Sequence, residues 1–210
     1  VKEKVIVLGS GGHAKALIDA LEKDKYSVLG LTDSDLSKKG SQVLGYDILG
    51  NDEEVFKSDS KKVLLINALG TTNVNNFRKD LYLRFKSAGF YFAKVIHPSA
   101  TISSNAKVAE GAQVMAGAII QVGAKIGENC IVNTGVIIDH DCEIGDHVHL
   151  SPGVVLSGGV SIGDNSHIGT GAVVIQGIKI GRNCLVAAGA VVVNDIPENS
   201  RVFGVPAKEK

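Results

Sequence analysis

From Ile96 onward every sixth residue is aliphatic, without insertion, through Val114, Val132, Leu150, Ile168 and Val186 to Val192. The residue four places further on is small or β-branched in each repeat, from Ala100 to Ile196. The residue three places on is mostly Gly or Asn, from Asn105 to Gly189. Those two types enter the left-handed backbone region at low cost. A corner every six residues, with three corners to a coil, predicts a triangular solenoid. Its coils should stack at about 4.8 Å, the ordinary spacing between strands. So narrow an interior admits Val, Ile, Ala and Cys but no large ring. The composition agrees, with 25 Gly, no Trp and 5% aromatic residues. All three cysteines, Cys130, Cys142 and Cys184, fall in the small-residue column. We read them as small buried hydrophobes rather than as a disulfide framework.

The first 95 residues follow another rule. Lys4–Leu8 is an apolar run that ends in Gly9-Ser10-Gly11-Gly12-His13. Ala14, Leu17, Ile18 and Leu21 then recur at helical spacing. Val28–Thr32 and Val63–Ile66 read as further strands, and Val74, Phe77, Leu81 and Phe85 mark a second helix. Strands this apolar imply a small, mostly parallel sheet of three or four strands, covered on both faces. The fold expectation is therefore an α/β Rossmann-like half-domain over residues 1–95, followed by an all-β parallel β-helix over 96–210.

Charge narrows the function classes. Lys+Arg and Asp+Glu are 22 each, so the net charge is zero and a broad surface for nucleic acid is not expected. No apolar run approaches the length of a membrane span, and the odd cysteine count suits a reducing compartment. The default is a soluble cytoplasmic protein without nucleic-acid or membrane partners.

Gly11, Gly12 and His13 form a strand-to-helix turn whose backbone N–H groups suit a phosphate. Asp33 and Asp35 follow the second strand, where an acid can bond a ribose or base. Half of a dinucleotide fold fits a mononucleotide or nucleotide sugar better than NAD. In the repeat, His140 is followed by Asp141 at a corner where most coils carry Gly or Asn, and the next corner is His147. Rule-breaking corners mark the place where function is expected, so Asp141 and His147 should crowd around His140.

A Gly-Gly-His loop, the segment Asp139-His140-Asp141-Cys142 and the ending Gly204-Val205-Pro206-Ala207 occur in one chain. Together they resemble the hexapeptide-repeat sugar acetyltransferases that include UDP-4-amino-sugar N-acetyltransferases and sialic acid O-acetyltransferases. The resemblance implies a left-handed solenoid, acetyl-CoA as co-substrate, no metal and a homotrimer whose sites lie between neighbouring solenoids. It implies that His140 is the general base and that the acid after it, here Asp141, orients it, with Asp139 as rival. It places His149 against acetyl-CoA and makes the Gly158 amide, one coil below His140, a donor to the thioester oxygen. Thr170, Ala187 and Ala188 would line the coenzyme groove, and Lys208 could meet its phosphates. His167, one coil from His149, has no counterpart role and is expected at the surface. The N-terminal domain would hold the UDP of an amino sugar through Gly11, Gly12, His13, Asp33 and Asp35.

Two readings from other classes compete. A zinc hydratase on the same solenoid needs three His, but two coils before His140 stands Ser104 and no H-x4-H pair occurs. A non-catalytic nucleotide-sugar-binding protein is disfavoured by the His140-Asp141 pair and the Gly-Val-Pro-Ala ending.

Overall fold

The structure is a computed structural model and describes residues 2–21, 25–71 and 73–209. Its N-terminal part runs β1 (Glu3–Leu8), α1 (Gly12–Ala20), β2 (Tyr26–Thr32), β3 (Gln42–Val43), β4 (Tyr46–Gly50), β5 (Val63–Asn67), α2 (Phe77–Ser87) and β6 (Tyr91–Phe92). These strands form one sheet in the order β3-β4-β2-β1-β5-β6. β1 pairs in parallel with both β2 and β5, and only β3 runs antiparallel, in a hairpin with β4. Alternation along β1 supplies both faces. Val5 and Val7 pack with Ala14, Leu17 and Ile18 of α1, while Ile6 and Leu8 pack with Tyr82 and Phe85 of α2.

The covered parallel sheet is as the apolar runs predict, but it has six strands rather than three or four. β3 and β6 are two residues each, too short to show a period. Helix α2 begins at Phe77, later than the Val74 spacing suggests. The side chain of Asn75 accepts from the Phe77 amide at 3.2 Å, which holds the preceding segment in a turn.

From Val95 onward the chain is a three-sided solenoid of two-residue strands. The first face stacks Val95–Ile96, Gln113–Val114, Ile131–Val132, His149–Leu150, His167–Ile168 and Leu185–Val186. The second runs from Thr101–Ile102 to Val191–Val192, and the third from Lys107–Val108 to Lys179–Ile180. The second residue of each strand points inward, and the interior is a continuous aliphatic column from Val114 to Val202. The three cysteines are fully buried in it and unpaired. Their thiols donate to carbonyls of the adjacent coil or end segment, as Cys142 Sγ does to Ser157 O at 3.3 Å.

The corners are left-handed at every sixth residue from Gly111 to Gly189, with φ between 54 and 77°. Asn129, Asp141, His147, Asn165 and Asn183 adopt this conformation without being glycine. The chain closes with Arg201–Phe203 beside Leu185–Val186, and Lys208–Glu209 folds back antiparallel on it.

The N-terminal sheet docks on the first face and on the corner joining the third face to the first. There Tyr82 Oη donates to Glu128 at 2.8 Å, Lys86 pairs with Glu110 at 2.8 Å, and Asn67 Nδ2 donates to Asn129 Oδ1 at 3.2 Å. Arg78, fully buried, donates to the carbonyls of Asn67, Leu69 and Asn129.

Candidate active site

Two cavities meet along the first face. The larger, of about 820 Å³, lies between the carboxyl ends of the N-terminal strands and the solenoid. Gly11, Gly12, His13 and Asp33 all line it. Helix α1 opens on Gly11 with no side-chain cap and no acidic residue in its first turn, so its leading N–H groups are available to an anion. A Cβ at Gly11 or Gly12 would meet nothing within 4 Å, which leaves the cradle open. Burial pushes the Asp33 carboxyl up, but hydrogen bonds from Ser10, Lys38 and the Asp35 amide outweigh it and hold it at about 2. Asp33 is therefore a fixed anion at the cavity rim.

Asp35 departs from the expected placement. Its carboxylate accepts from the Ser37 amide at 3.0 Å and caps the single turn Leu36–Lys38, and it does not line the cavity. Turn capping accounts for the acid at that position.

The second cavity, about 460 Å³, runs along the later coils and is lined by His149, Thr170, Ala187 and Ala188. These four, which the resemblance implies for the coenzyme, line one cavity. His149, Asn133 and Thr71 line both cavities and so form their common wall. His149 Nδ1 lies 2.7 Å from Thr71 Oγ1, and Asn133 Nδ2 stands 3.4 Å from Nε2. Burial, then the charges of His167 and Arg78, hold the His149 imidazole down at about 3. It is neutral at any working pH.

Asn133 and Thr71 escape the reading of the sequence. Thr71 follows the carboxyl end of β5, where ligands bind in open α/β sheets, and that rule points to it. Asn133 has no signal in the repeat.

His167 is buried, not at the surface. Its ring meets that of His149 edge-on at 4.8 Å, and Ser151 Oγ lies 3.2 Å from its Nε2. The cause is the first face, which the N-terminal part covers. His147 is also elsewhere than expected. It occupies the corner beneath α2, 5.5 Å from the Tyr82 ring with Asn129 at 3.1 Å from Nδ1. The third face of the prism, at Glu143–Ile144, separates it from His140, so rule-breaking at its corner reflects domain docking.

His140 and Asp141 stand at the corner between the second and third faces, opposite the first. Asp141 Oδ2 holds His140 Nδ1 at 2.9 Å, and Asp139 Oδ1 accepts from the His140 amide at 2.7 Å. The two acids divide the work. Asp141 contacts the ring, and Asp139 contacts the backbone. Asp141 reaches the ring because its corner backbone, at φ 57°, is left-handed. The hydrogen bond that the ring donates to Asp141, then the charge of Asp139, raise the imidazole above its ordinary range. Its Nε2 points over Gly158, where a Cβ would stand 2.5 Å away. His140 and Gly158 are brought together but line neither cavity. Lys208 is exposed in the final strand, also apart from both.

The family description "PglD N-terminal domain" matches residues 4–85, and "Bacterial transferase hexapeptide (six repeats)" matches 123–158 and 159–194. No curated protein matches the chain. Among solved structures, the acetyltransferase domain of PglB from Neisseria gonorrhoeae FA1090 is 34% identical, with all of both chains covered and a TM-score of 0.92. It is also known in complex with acetyl coenzyme A. The chain belongs to the hexapeptide-repeat sugar acetyltransferases. A second member of that family, PerB from Caulobacter crescentus, is solved with CoA and GDP-perosamine. It is 38% identical, covers 99% of this chain and 97% of its own, and has a TM-score of 0.90. WeeI from Acinetobacter baumannii AYE shares the fold at 24% identity and TM-score 0.83. The family's second domain is the left-handed parallel β-helix, and its members are acetyltransferases. Among the described residues no helix is long and apolar enough to cross a membrane.

Proposed function

We propose that this acetyltransferase moves the acetyl group of acetyl-CoA to the amine of a nucleotide-linked 4-amino sugar, with UDP as the nucleotide. The larger cavity takes the nucleotide sugar and the groove along Thr170, Ala187 and Ala188 takes the coenzyme. The observation that supports this reading is the wall the two cavities share at His149, where an acceptor in one and a donor in the other would meet. The amine nitrogen attacks the thioester carbonyl carbon as His140 Nε2 removes its proton. The Gly158 amide donates to the oxyanion. The tetrahedral intermediate then collapses, the C–S bond breaks, and the thiolate leaves with a proton as CoA.

The electrostatics favour His140 as the base. His13 and His149 are held down at about 4 and about 3, and His147 and His167 are lowered too, all four chiefly by burial. Only His140 among the histidines at these sites is raised, through its carboxylate partner. Asp141 orients it.

His140 stands on the corner opposite the cavities, so the site is completed by a neighbour. A homotrimer meets this need. Beyond Thr101 on its first rung, the outward residues of the second face, Ile119, Ile137, Val155, Val173 and Val191, are aliphatic, whereas those of the third face are Lys107, Lys125, Glu143, Ser161 and Lys179. An aliphatic face beside the His140 corner suits a partner solenoid. Domain limits at residues 1–95 and 96–210 and a cytoplasmic location complete the proposal, with Lys208 near the coenzyme phosphates.

PerB carries GDP-perosamine, which favours a GDP-linked amino sugar as the second reading. Thiol release from acetyl-CoA, measured against UDP- and GDP-linked amino sugars and against sialic acids, separates the readings. Turnover confined to sialic acids would replace N- by O-acetylation, and turnover with none would remove the proposal.

A further inference from the structure

Gln113 stands on the first face, between α1 and the solenoid, and is 1% exposed. A buried amide has its polar atoms satisfied, and here both are. Its Nε2 donates to the backbone carbonyl of Asn67 at 2.6 Å. A carbonyl only accepts, so the NH₂ end of the amide must face Asn67. The amide oxygen is then the atom 2.8 Å from His13 Nε2. An amide oxygen also only accepts, so His13 Nε2 must carry hydrogen. Reversing the amide would set two acceptors, its own oxygen and the Asn67 carbonyl, face to face.

Burial, then the charge of Arg78, hold His13 down at about 4, so the ring is neutral and carries a single N–H. That hydrogen is spent on Gln113. Nδ1 is left as a bare acceptor. It has no protein partner among the described residues, and His13 lines the larger cavity.

We propose that Gln113 is a positioning residue that locks His13 in the Nε2–H tautomer, so that Nδ1 accepts a hydrogen bond from an N–H or O–H of the acceptor sugar. The sugar half of this inference rests on the proposed function, whereas the tautomer half does not. His13 stays too weakly basic to take the proton itself. It orients a donor-bearing group, and a protonated ring there would present a competing N–H and repel an ammonium group. Gln113 acts on substrate only through His13.

Two-bond ¹H–¹⁵N correlation on the free enzyme at pH 7 reads the tautomer, with the His13 signal assigned by its loss in His13→Asn. We expect a protonated Nε2 and a pyridine-type Nδ1. Gln113→Met should leave His13 in mixed tautomers, and Gln113→Glu should add a proton to the ring. In both variants the sugar KM should rise about tenfold, the loss of one hydrogen bond, with kcat and the acetyl-CoA KM within about twofold. An Nδ1–H or charged His13 in the parent protein overturns the lock, whether or not the variants fold. Folded variants with an unchanged sugar KM overturn the sugar contact. If the parent turns over no nucleotide sugar, that contact falls with the functional reading, and the tautomer signal still decides the lock.

Discussion

The His140 ring occupies the space that a side chain at Gly158 would need: a Cβ there would stand 2.5 Å from Nε2 and 2.6 Å from Cε1. Gly158 does not have positive φ, so its backbone tolerates alanine and the consequence is confined to the ring. Gly158→Ala should therefore lower kcat by about 10²-fold, the scale of an ångström-sized misplacement, with little change in unfolding midpoint. Wild-type turnover in a folded variant would separate Gly158 from the chemistry.

Replacing the base itself should cost at least as much. We expect His140→Ala to lose at least about 10²-fold in kcat. Asp141→Asn is a milder probe, because asparagine already serves left-handed corners at Asn129, Asn165 and Asn183. The hydrogen bond that its ring donates to Asp141 raises the His140 imidazole. A base works deprotonated, so activity falls as pH drops through that raised value. Removing the carboxylate charge should shift this acid limb to lower pH and reduce kcat. An acid limb that stays in place would assign it to another group.

The aliphatic second face should hold the assembly. Val155→Glu with Val173→Glu should convert a trimer to monomers by light scattering while the circular dichroism of the fold persists. Because His140 lines neither cavity of its own chain, these monomers should be inactive. An active monomer would show that the site is complete within one chain.

Corner glycines test the backbone argument without side-chain complications. Gly117 has φ 67°, and a Cβ there would meet nothing within 4 Å. Gly117→Val should cost about 1–2 kcal/mol or more from the left-handed backbone alone. Gly117→Asn should cost much less. Equal losses, measured by urea unfolding, would mean that something other than φ selects the residue.

Acid should weaken the fold through its buried histidines. His13 and His149 are held at about 4 and about 3, against 6.5 when unfolded. Their folded values are depressed, so the unfolded chain binds more protons below 6.5. The contribution is fully present above about pH 6.5 and is lost as pH falls toward 4 and then 3. A His13→Gln, His149→Gln pair should flatten stability against pH in that window. An unchanged slope would place the titration elsewhere.

The three-sided solenoid was legible because its period, its corner type and its interior column are all local signals that reinforce one another, whereas its hand came only from the resemblance to the family. The N-terminal sheet was legible where strands are long and apolar, as in β1, and illegible at the two-residue β3 and β6. His149, Thr170, Ala187 and Ala188, which line one cavity, were legible only through the resemblance to the family and not through the repeat itself. His147 and His167 misled for one reason. Their environment is set by the N-terminal part lying over the first face, a long-range contact that the repeat does not encode. Gln113 was invisible in sequence for the same reason, since its partners Asn67 and His13 are 46 and 100 residues away.

The return strand Lys208–Glu209 has a consequence for solubility. A stack of identical parallel rungs has no natural end, and each terminal rung offers unpaired amides to the next molecule. On the first face the chain answers by reversing direction, so the outermost strand no longer matches the parallel register of the rungs below. It also carries a lysine and a glutamate, both exposed. Removing this hairpin would leave Leu185–Val186 as the outer rung and open the solenoid to fibre growth. The antiparallel pair thus covers the edge of the first face.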